Sequence, residues 1–198
     1  GVLDADGGSF AGGILTQGGT LNLNFDTTAN IENNGATITV PGMIELTGNL
    51  INTTGTATVN GTVTGNLTVD DGTVGTTATA IVNGSVQVDG GTLTSTGSTF
   101  ESAGGVTSTV TVDGGTFAVA AGTTVANVSV ESGTDGLTVA NGGVLDGTLS
   151  VSDGSTTLNT GSSVTGQTTI SGSGVVNANG GTFETDGLLT PDISLTGG

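Results

Sequence analysis

A phrase of about eight residues returns along this chain, and its regular return limits the possible folds more than any other feature. Each copy places a polar residue between two apolar ones, passes through an acidic or small polar turn with glycine, and ends on threonine and a large apolar residue. The three clearest copies occupy residues 67–74, 86–93 and 110–117. Weaker copies follow at 128–133, 149–154 and 168–172, and residues 44–48 resemble an earlier member. Such a repeat indicates one structural unit stacked many times.

The spacing of the copies distinguishes between two all-β architectures. The second apolar residue of each copy falls at positions 46, 69, 88, 112, 130, 151 and 170, so the steps are 18 to 24 residues. An immunoglobulin-like sandwich also has short strands, but its strands are not copies of one another and its core needs larger side chains. A solenoid stacks the same residue types at equivalent positions. We therefore predict an all-β fold, a parallel β-helix of about nine coils of roughly 18–24 residues and about 45 Å in length.

We expect residues 1–198 to form a single β-solenoid domain. Residues 1–45 are predicted to form less regular coils, residues 46–181 carry the clearest repeats, and residues 182–198 are predicted to form a terminal coil. Val, Leu and Ile should fill a narrow interior as ladders. The five phenylalanines should be its only large side chains: Phe10, Phe25, Phe100, Phe117 and Phe183.

The composition excludes most enzyme and nucleic-acid functions. The chain has 17 Asp and Glu residues but no Lys, Arg, His or Cys, and its formal net charge is −17. It therefore lacks the residues of Ser-His-Asp and Cys-His triads, of Schiff-base lysines and of thiolate or imidazole metal sites. Nucleic acid and anionic lipid, which proteins hold through Lys and Arg, should be repelled. No apolar run is long enough to insert into a membrane.

Carboxylate chemistry is the one catalytic route left open, and the sequence argues against it. Asp70 and Asp71 are the only adjacent acids, and paired carboxylates can hydrolyse glycosides. Polysaccharide-cleaving β-helix enzymes also use His or basic residues, which this chain lacks. We therefore predict that the protein is not an enzyme.

Four acidic residues occupy the same place in successive copies of the phrase, namely Asp70, Asp89, Asp113 and Glu131. If the copies stack in register, these carboxylates lie about 5 Å apart and repel one another. One interpretation is that each side chain caps its own turn and points into solvent. The other is that Ca²⁺, the only cofactor that we consider, bridges the ladder. The specific calcium repeat Gly-Gly-x-Gly-x-Asp is absent, which counts against a dedicated site.

Threonine pairs raise a separate question. Thr-x-Thr occurs at Thr37/Thr39, Thr62/Thr64, Thr77/Thr79 and Thr107/Thr109, a motif similar to that of ice-binding faces. Such faces need the motif once per coil and in register. These pairs drift relative to the Val-Asp-Gly positions, which argues against an ice-binding face.

The segment from residue 60 to residue 181, with its Val-x-Val-Asp-Gly-Gly-Thr-Leu and Val-Asn-Gly-Ser-Val variants, resembles a known family. It is similar to the passenger regions of bacterial autotransporters and related haemagglutinin-like adhesins. The resemblance covers about two thirds of the chain. It implies a right-handed β-helix at the bacterial cell surface or outside the cell. It also implies a stalk that presents adhesive parts, with a cell-surface glycan or host receptor as partner.

The ends of the predicted solenoid suggest self-association. Solenoids need caps because an open end exposes unpaired backbone groups. The sequence shows no amphipathic helix at either end and no Lys to protect an edge. We expect an extracellular structural or adhesive rod whose coils stack end to end between subunits, or a piece of a cell-surface stalk. The alternative is a glycan- or Ca²⁺-binding surface module of a larger adhesin.

Overall fold

The computed structural model describes residues 1–100, 109–132 and 136–184, together with the backbone of Ile193–Thr196. All regular elements in these ranges are β-strands, and the ranges contain no helix that could cross a membrane. The strands pair in parallel and stack as a β-solenoid of about nine turns, which confirms the predicted fold class. Each turn passes through three faces, which we number in the order in which the chain visits them.

The strands of each face come from successive turns. The first face contains β1 (Val2–Ala5), β4 (Thr20–Leu23), the second half of β6 (Ile31–Val40), the second half of β8 (Leu50–Val59), β11 (Thr73–Thr76), β14 (Thr92–Ser95), β17 (Thr116–Val119), β20 (Leu137–Val139), β23 (Ser155–Asn159) and β26 (Val175–Asn179). The second face contains β2 (Gly8–Ser9), β5 (Thr27–Thr28), β7 (Glu45–Thr47), β9 (Thr62–Val63), β12 (Ile81–Val82), β15 (Thr99–Phe100), β18 (Thr124–Val125), β21 (Val144–Leu145), β24 (Ser163–Val164) and β27 (Thr182–Phe183). The third face contains β3 (Ile14–Thr16), the first halves of β6 and β8, β10 (Leu67–Val69), β13 (Val86–Val88), β16 (Thr109–Asp113), β19 (Asn127–Ser132), β22 (Leu149–Val151), β25 (Thr168–Ser171) and β28 (Ile193–Thr196).

The core is a set of vertical ladders, because alternate residues of each strand point inward. On the first face one ladder pairs apolar residues over seven successive turns, and all are buried: Leu21, Ile38, Ala57, Val74, Leu93, Phe117 and Leu137. The residues on either side of each ladder member point outward. The alternation therefore decides which side chains form the outer surface of each face.

The predicted place of Leu46 in the repeat is wrong. Leu46 lies on the second face, where it pairs with Val63, whereas Val69 on the third face pairs with Asn52. The step that ends at Val69 is therefore 17 residues rather than 23. The true position was missed because asparagine replaces the expected valine in this turn and in the turn before it.

Those asparagines form a buried polar ladder at the corner between the third and first faces. Asn33 and Asn52 are completely buried, and the Asn33 Nδ2 donates to Asn52 Oδ1 at 2.6 Å and to the Ala36 carbonyl at 3.0 Å. The Asn33 Oδ1 accepts from the Ala36 N–H and from the Thr16 hydroxyl, both at 2.9 Å. Because these groups are hydrogen-bonded, the corner tolerates polar residues in the core.

The prediction that all five phenylalanines fill the interior is only partly right. Phe100 and Phe117 are buried and pack edge to face, with ring centroids 5.8 Å apart, and Phe183 packs partly buried against the core. Phe10 and Phe25 are 39% and 61% exposed. Both lie at turns between strands, where the alternation that directs side chains inward is interrupted.

Candidate functional site

The predicted acidic ladder forms in part. Val69, Val88 and Val112 pair in register, so the acids that follow them take equivalent places along the corner between the third and first faces. The backbone N–H of Asp89 donates to the Val69 carbonyl at 2.9 Å. Asp70, Asp89 and Asp113 therefore follow one another from turn to turn, as the sequence indicated.

Glu131 does not continue this ladder. The register shifts after Val112, so that Asp113 pairs with Ser132 and Glu131 is displaced. The Ser132 hydroxyl donates to the Asp113 carboxylate, and the Glu131 Oε1 accepts from the Ser129 hydroxyl at 3.1 Å. The bulge thus separates the fourth acid from the other three.

Two of the three carboxylates of the ladder, those of Asp89 and Asp113, accept hydrogen bonds from other side chains. The Gln87 Nε2 donates to Asp89 Oδ1 at 2.6 Å, and Asp113 accepts from Ser132. Among the described residues no group of three or more acidic side chains is arranged to hold a metal ion. The calcium ladder and the turn-capping alternative both stay predictions, since these hydrogen bonds come from other side chains and not from the backbone of the acids' own turns.

The outer surface of the first face carries two columns of threonine that the sequence analysis did not align. The first column runs without interruption through six turns: Thr20, Thr37, Thr56, Thr73, Thr92 and Thr116. The second column stands two residues further along each strand: Asn22, Thr39, Thr58, Gly75, Thr94, Ala118, Thr138, Thr157 and Asn177. All of these threonines are at least partly exposed.

The Thr-x-Thr pairs chosen from the sequence lie on different parts of the solenoid, as their drift indicated. Thr37/Thr39 belongs to the first face, Thr62 lies on the second face, and Thr107 lies outside the described residues. The aligned columns consist mainly of other threonines. Their signal was the threonine of the repeated phrase itself, as in Gly90-Gly91-Thr92, which stands at the start of a first-face strand.

The two columns differ from the rest of the surface in charge. Between Thr20 and Asn177 neither column contains Asp or Glu among the described residues. Asp4, which pairs with Asn22, is an acid of the first face but lies before Thr20. Other acids lie along the corners, as Asp26 and Asp89 do, and on the other two faces, as Glu45 and Glu32 do. A chain with net charge −17 therefore presents a first face whose two columns carry no charge from Thr20 to Asn177.

The fold and these surfaces define the chain as a repetitive β-solenoid with an acidic corner and an uncharged threonine face. No protein-family model matches the sequence, and comparisons with curated proteins and with solved structures find no similar protein. The similarity to autotransporter passengers and haemagglutinin-like adhesins therefore rests on the repeated phrase, while the β-helix that it implied is confirmed.

Proposed function

We propose that this protein is an extracellular structural rod that lengthens by coil-on-coil stacking. The stacked coil belongs either to a second copy, which gives a filament, or to a longer chain, which gives a cell-surface stalk. The observation that carries the proposal is Leu3, which is 53% exposed although it belongs to the buried ladder of the first face. Its partner in the next turn, Leu21, is completely buried.

The backbone of the first turn supports the same proposal. In the described part of the chain β1 pairs only with β4, β2 only with β5 and β3 only with β6. Each strand therefore offers one free edge, and all three free edges face the same way along the solenoid. Free parallel edges beside an open apolar core are a template for another coil.

The last described turn has the complementary arrangement. β26 pairs only with β23 and β27 only with β24 within the described residues. Val175 is 48% exposed there, and Phe183 is partly buried. A coil placed on the first turn would bury Leu3, and apolar burial contributes about 25 cal/mol per Å².

The composition supports a place outside the cell. The chain contains no Lys or Arg, so trypsin-like proteases find no bond to cut. Its large negative charge favours the solubility of subunits that have not yet stacked. Both properties suit a rod exposed to extracellular enzymes, and an adhesive stalk would need them equally.

The experiment is to measure particle length and mass for the 198-residue chain over a range of concentrations, by electron microscopy and analytical ultracentrifugation. We expect rods that lengthen with concentration, and we expect Leu3→Glu to abolish the lengthening by placing a charge in the stacking core. Leu15→Glu is the matched control, because Leu15 belongs to the same turn and is 56% exposed but points outward from the third face. Monomeric rods at the highest concentration would contradict assembly between subunits.

A further inference from the structure

The threonine columns of the first face form a lattice whose dimensions are fixed by the backbone. Neighbouring strands are about 4.8 Å apart, and residues two positions apart along a parallel strand are separated by about 6.6 Å. The six threonines of the first column therefore cover about 24 Å along the solenoid axis. The second column runs beside the first, so that hydroxyl and methyl groups repeat in two directions.

The buried core ladder and the strand pairing hold the first face rigid. The residue between the two columns in each strand is a buried member of the core ladder, such as Ile38, Val74 or Leu93. Each strand from β4 to β23 pairs on both sides, so no edge of this face can open along that length. Threonine is also stiff at χ1, which restricts the directions in which its hydroxyl and methyl groups can point.

The hydroxyl groups of both columns are available to an external partner. Within the described residues, none of the eleven column threonines makes a hydrogen bond through its hydroxyl; Thr56 and Thr73 accept from the side chains of Asn33 and Asn52 only through their backbone carbonyls, both at 3.5 Å. Elsewhere on the surface, by contrast, Thr54 donates to Asn34 at 3.1 Å and Thr165 donates to Asp146 at 2.8 Å. From Thr20 to Asn177, the columns of the first face thus combine free threonine hydroxyls with an absence of charge.

These properties disfavour the usual partners of a protein surface. Sugars and crystalline polysaccharides are commonly held by stacking on aromatic rings, and neither column contains an aromatic residue. Protein interfaces centre on buried aromatic or large aliphatic anchors, which are also missing from both columns. Nucleic acid and anionic lipid require cationic residues that the whole chain lacks.

Ordered water is the partner whose geometry fits. The oxygen atoms on a prism face of hexagonal ice form a rectangular lattice with two repeats close to the two spacings of the columns. Threonine methyl groups would order water between the columns, and the hydroxyls would occupy lattice positions. We propose that the first face, from Thr20 to Thr157, binds ice. The proposal does not depend on end-to-end stacking.

The experiment measures thermal hysteresis, inhibition of ice recrystallisation and adsorption of the labelled protein to ice crystals. We expect all three for the native chain. Thr56→Tyr, in the middle of the first column, should lose most of the activity because its ring lifts the ice surface away from the neighbouring threonines. Thr68→Tyr is the matched control, since Thr68 points outward from the third face in the same turn and makes no side-chain hydrogen bond. It should keep native activity.

A gain-of-function variant keeps the proposal testable even if Thr56→Tyr misfolds. Gly75 interrupts the second column, and a Cβ atom added there has no heavy atom within 4 Å. The Gly75→Thr variant should therefore fold normally. It should increase thermal hysteresis, because the new threonine fills the gap between Thr58 and Thr94 in the second column. Circular dichroism checks the fold of each variant.

Three outcomes would overturn the proposal. One is native protein that shows neither hysteresis nor adsorption to ice. Another is an equal loss of activity in Thr56→Tyr and Thr68→Tyr. The third is binding of the native chain to crystalline chitin or cellulose that Thr56→Tyr abolishes, which would assign the face to a polysaccharide. The stacking-deficient Leu3→Glu protein should still bind ice, so that the two proposals fail separately.

Discussion

Glycine at the corners shows how closely successive turns approach one another. Gly84 lies in the turn between the second and third faces, directly over Gly65, which in turn lies over Gly48. A Cβ atom on Gly84 would overlap the carbonyl group of Gly65. The restriction comes from space, since the φ angle of Gly84 is not in the left-handed region. Gly75, in contrast, lies within β11 with open space where its side chain would be.

This difference gives the first prediction. Gly84→Ala should lower the free energy of unfolding by about 1–3 kcal/mol, the usual cost of forcing extra atoms into a packed site. Gly75→Ala should leave it unchanged or raise it by about 0.4–1 kcal/mol, because alanine restricts the unfolded chain. Denaturant unfolding followed by circular dichroism measures both variants. Equal effects of the two substitutions would show that the contact with Gly65 is not what requires glycine.

At the scale of the strand, register determines which acids lie beside one another. The strands β10, β13 and β16 bring Asp70, Asp89 and Asp113 to the same corner, and the bulge between β16 and β19 removes Glu131. Two like charges about 5 Å apart repel by roughly 0.8 kcal/mol in water, and more strongly where the effective dielectric constant is lower. A divalent cation would relieve that repulsion where two carboxylates are adjacent.

The second prediction concerns calcium. If Ca²⁺ bridges the ladder, calcium should raise Tm, and Asp89→Asn should remove most of the increase because Asp89 stands between the other two acids. Glu131→Gln is the control, since the bulge places its carboxylate outside the ladder. Calorimetric titration with CaCl2 and thermal unfolding test this directly. If calcium produces no heat of binding and no change in Tm, turn capping would remain as the role of these acids.

The molecule as a whole carries its charge with one sign only. The net charge is −17, and the chain contains no Lys, Arg or His side chain to offset it. In most proteins salt weakens attractive and repulsive pairs together. In this solenoid almost every charge pair is repulsive, and folding brings the charges closer together.

The third prediction follows from this imbalance. Raising NaCl from about 0.01 M to about 0.1 M shortens the Debye length from roughly 30 Å to roughly 10 Å, so the repulsion should fall and Tm should rise. Thermal unfolding in NaCl and in KCl measures the effect, which should be the same for both salts. A Tm that falls with salt would mean that self-repulsion does not limit stability.

The sequence by itself determined the architecture. Alternation of apolar and polar residues, glycine-rich turns and a phrase that returns about every 20 residues are local signals, and Val86-Gln87-Val88 or Leu93 can be assigned to strands without any distant contact. A repeat of one unit also makes each assignment support the others. The β-solenoid and its apolar ladders were therefore predictable.

The tertiary structure decided the register, and the register decided the candidate surfaces. The steps between paired residues vary from 17 to 25, so small differences in turn length determine whether Thr56 stands over Thr37 and whether Glu131 stands beside Asp113. Backbone hydrogen bonds between turns select one alignment from several that satisfy the alternation equally well. The columns of the first face and the interruption of the acidic ladder follow from these long-range bonds, which no single copy of the repeat contains.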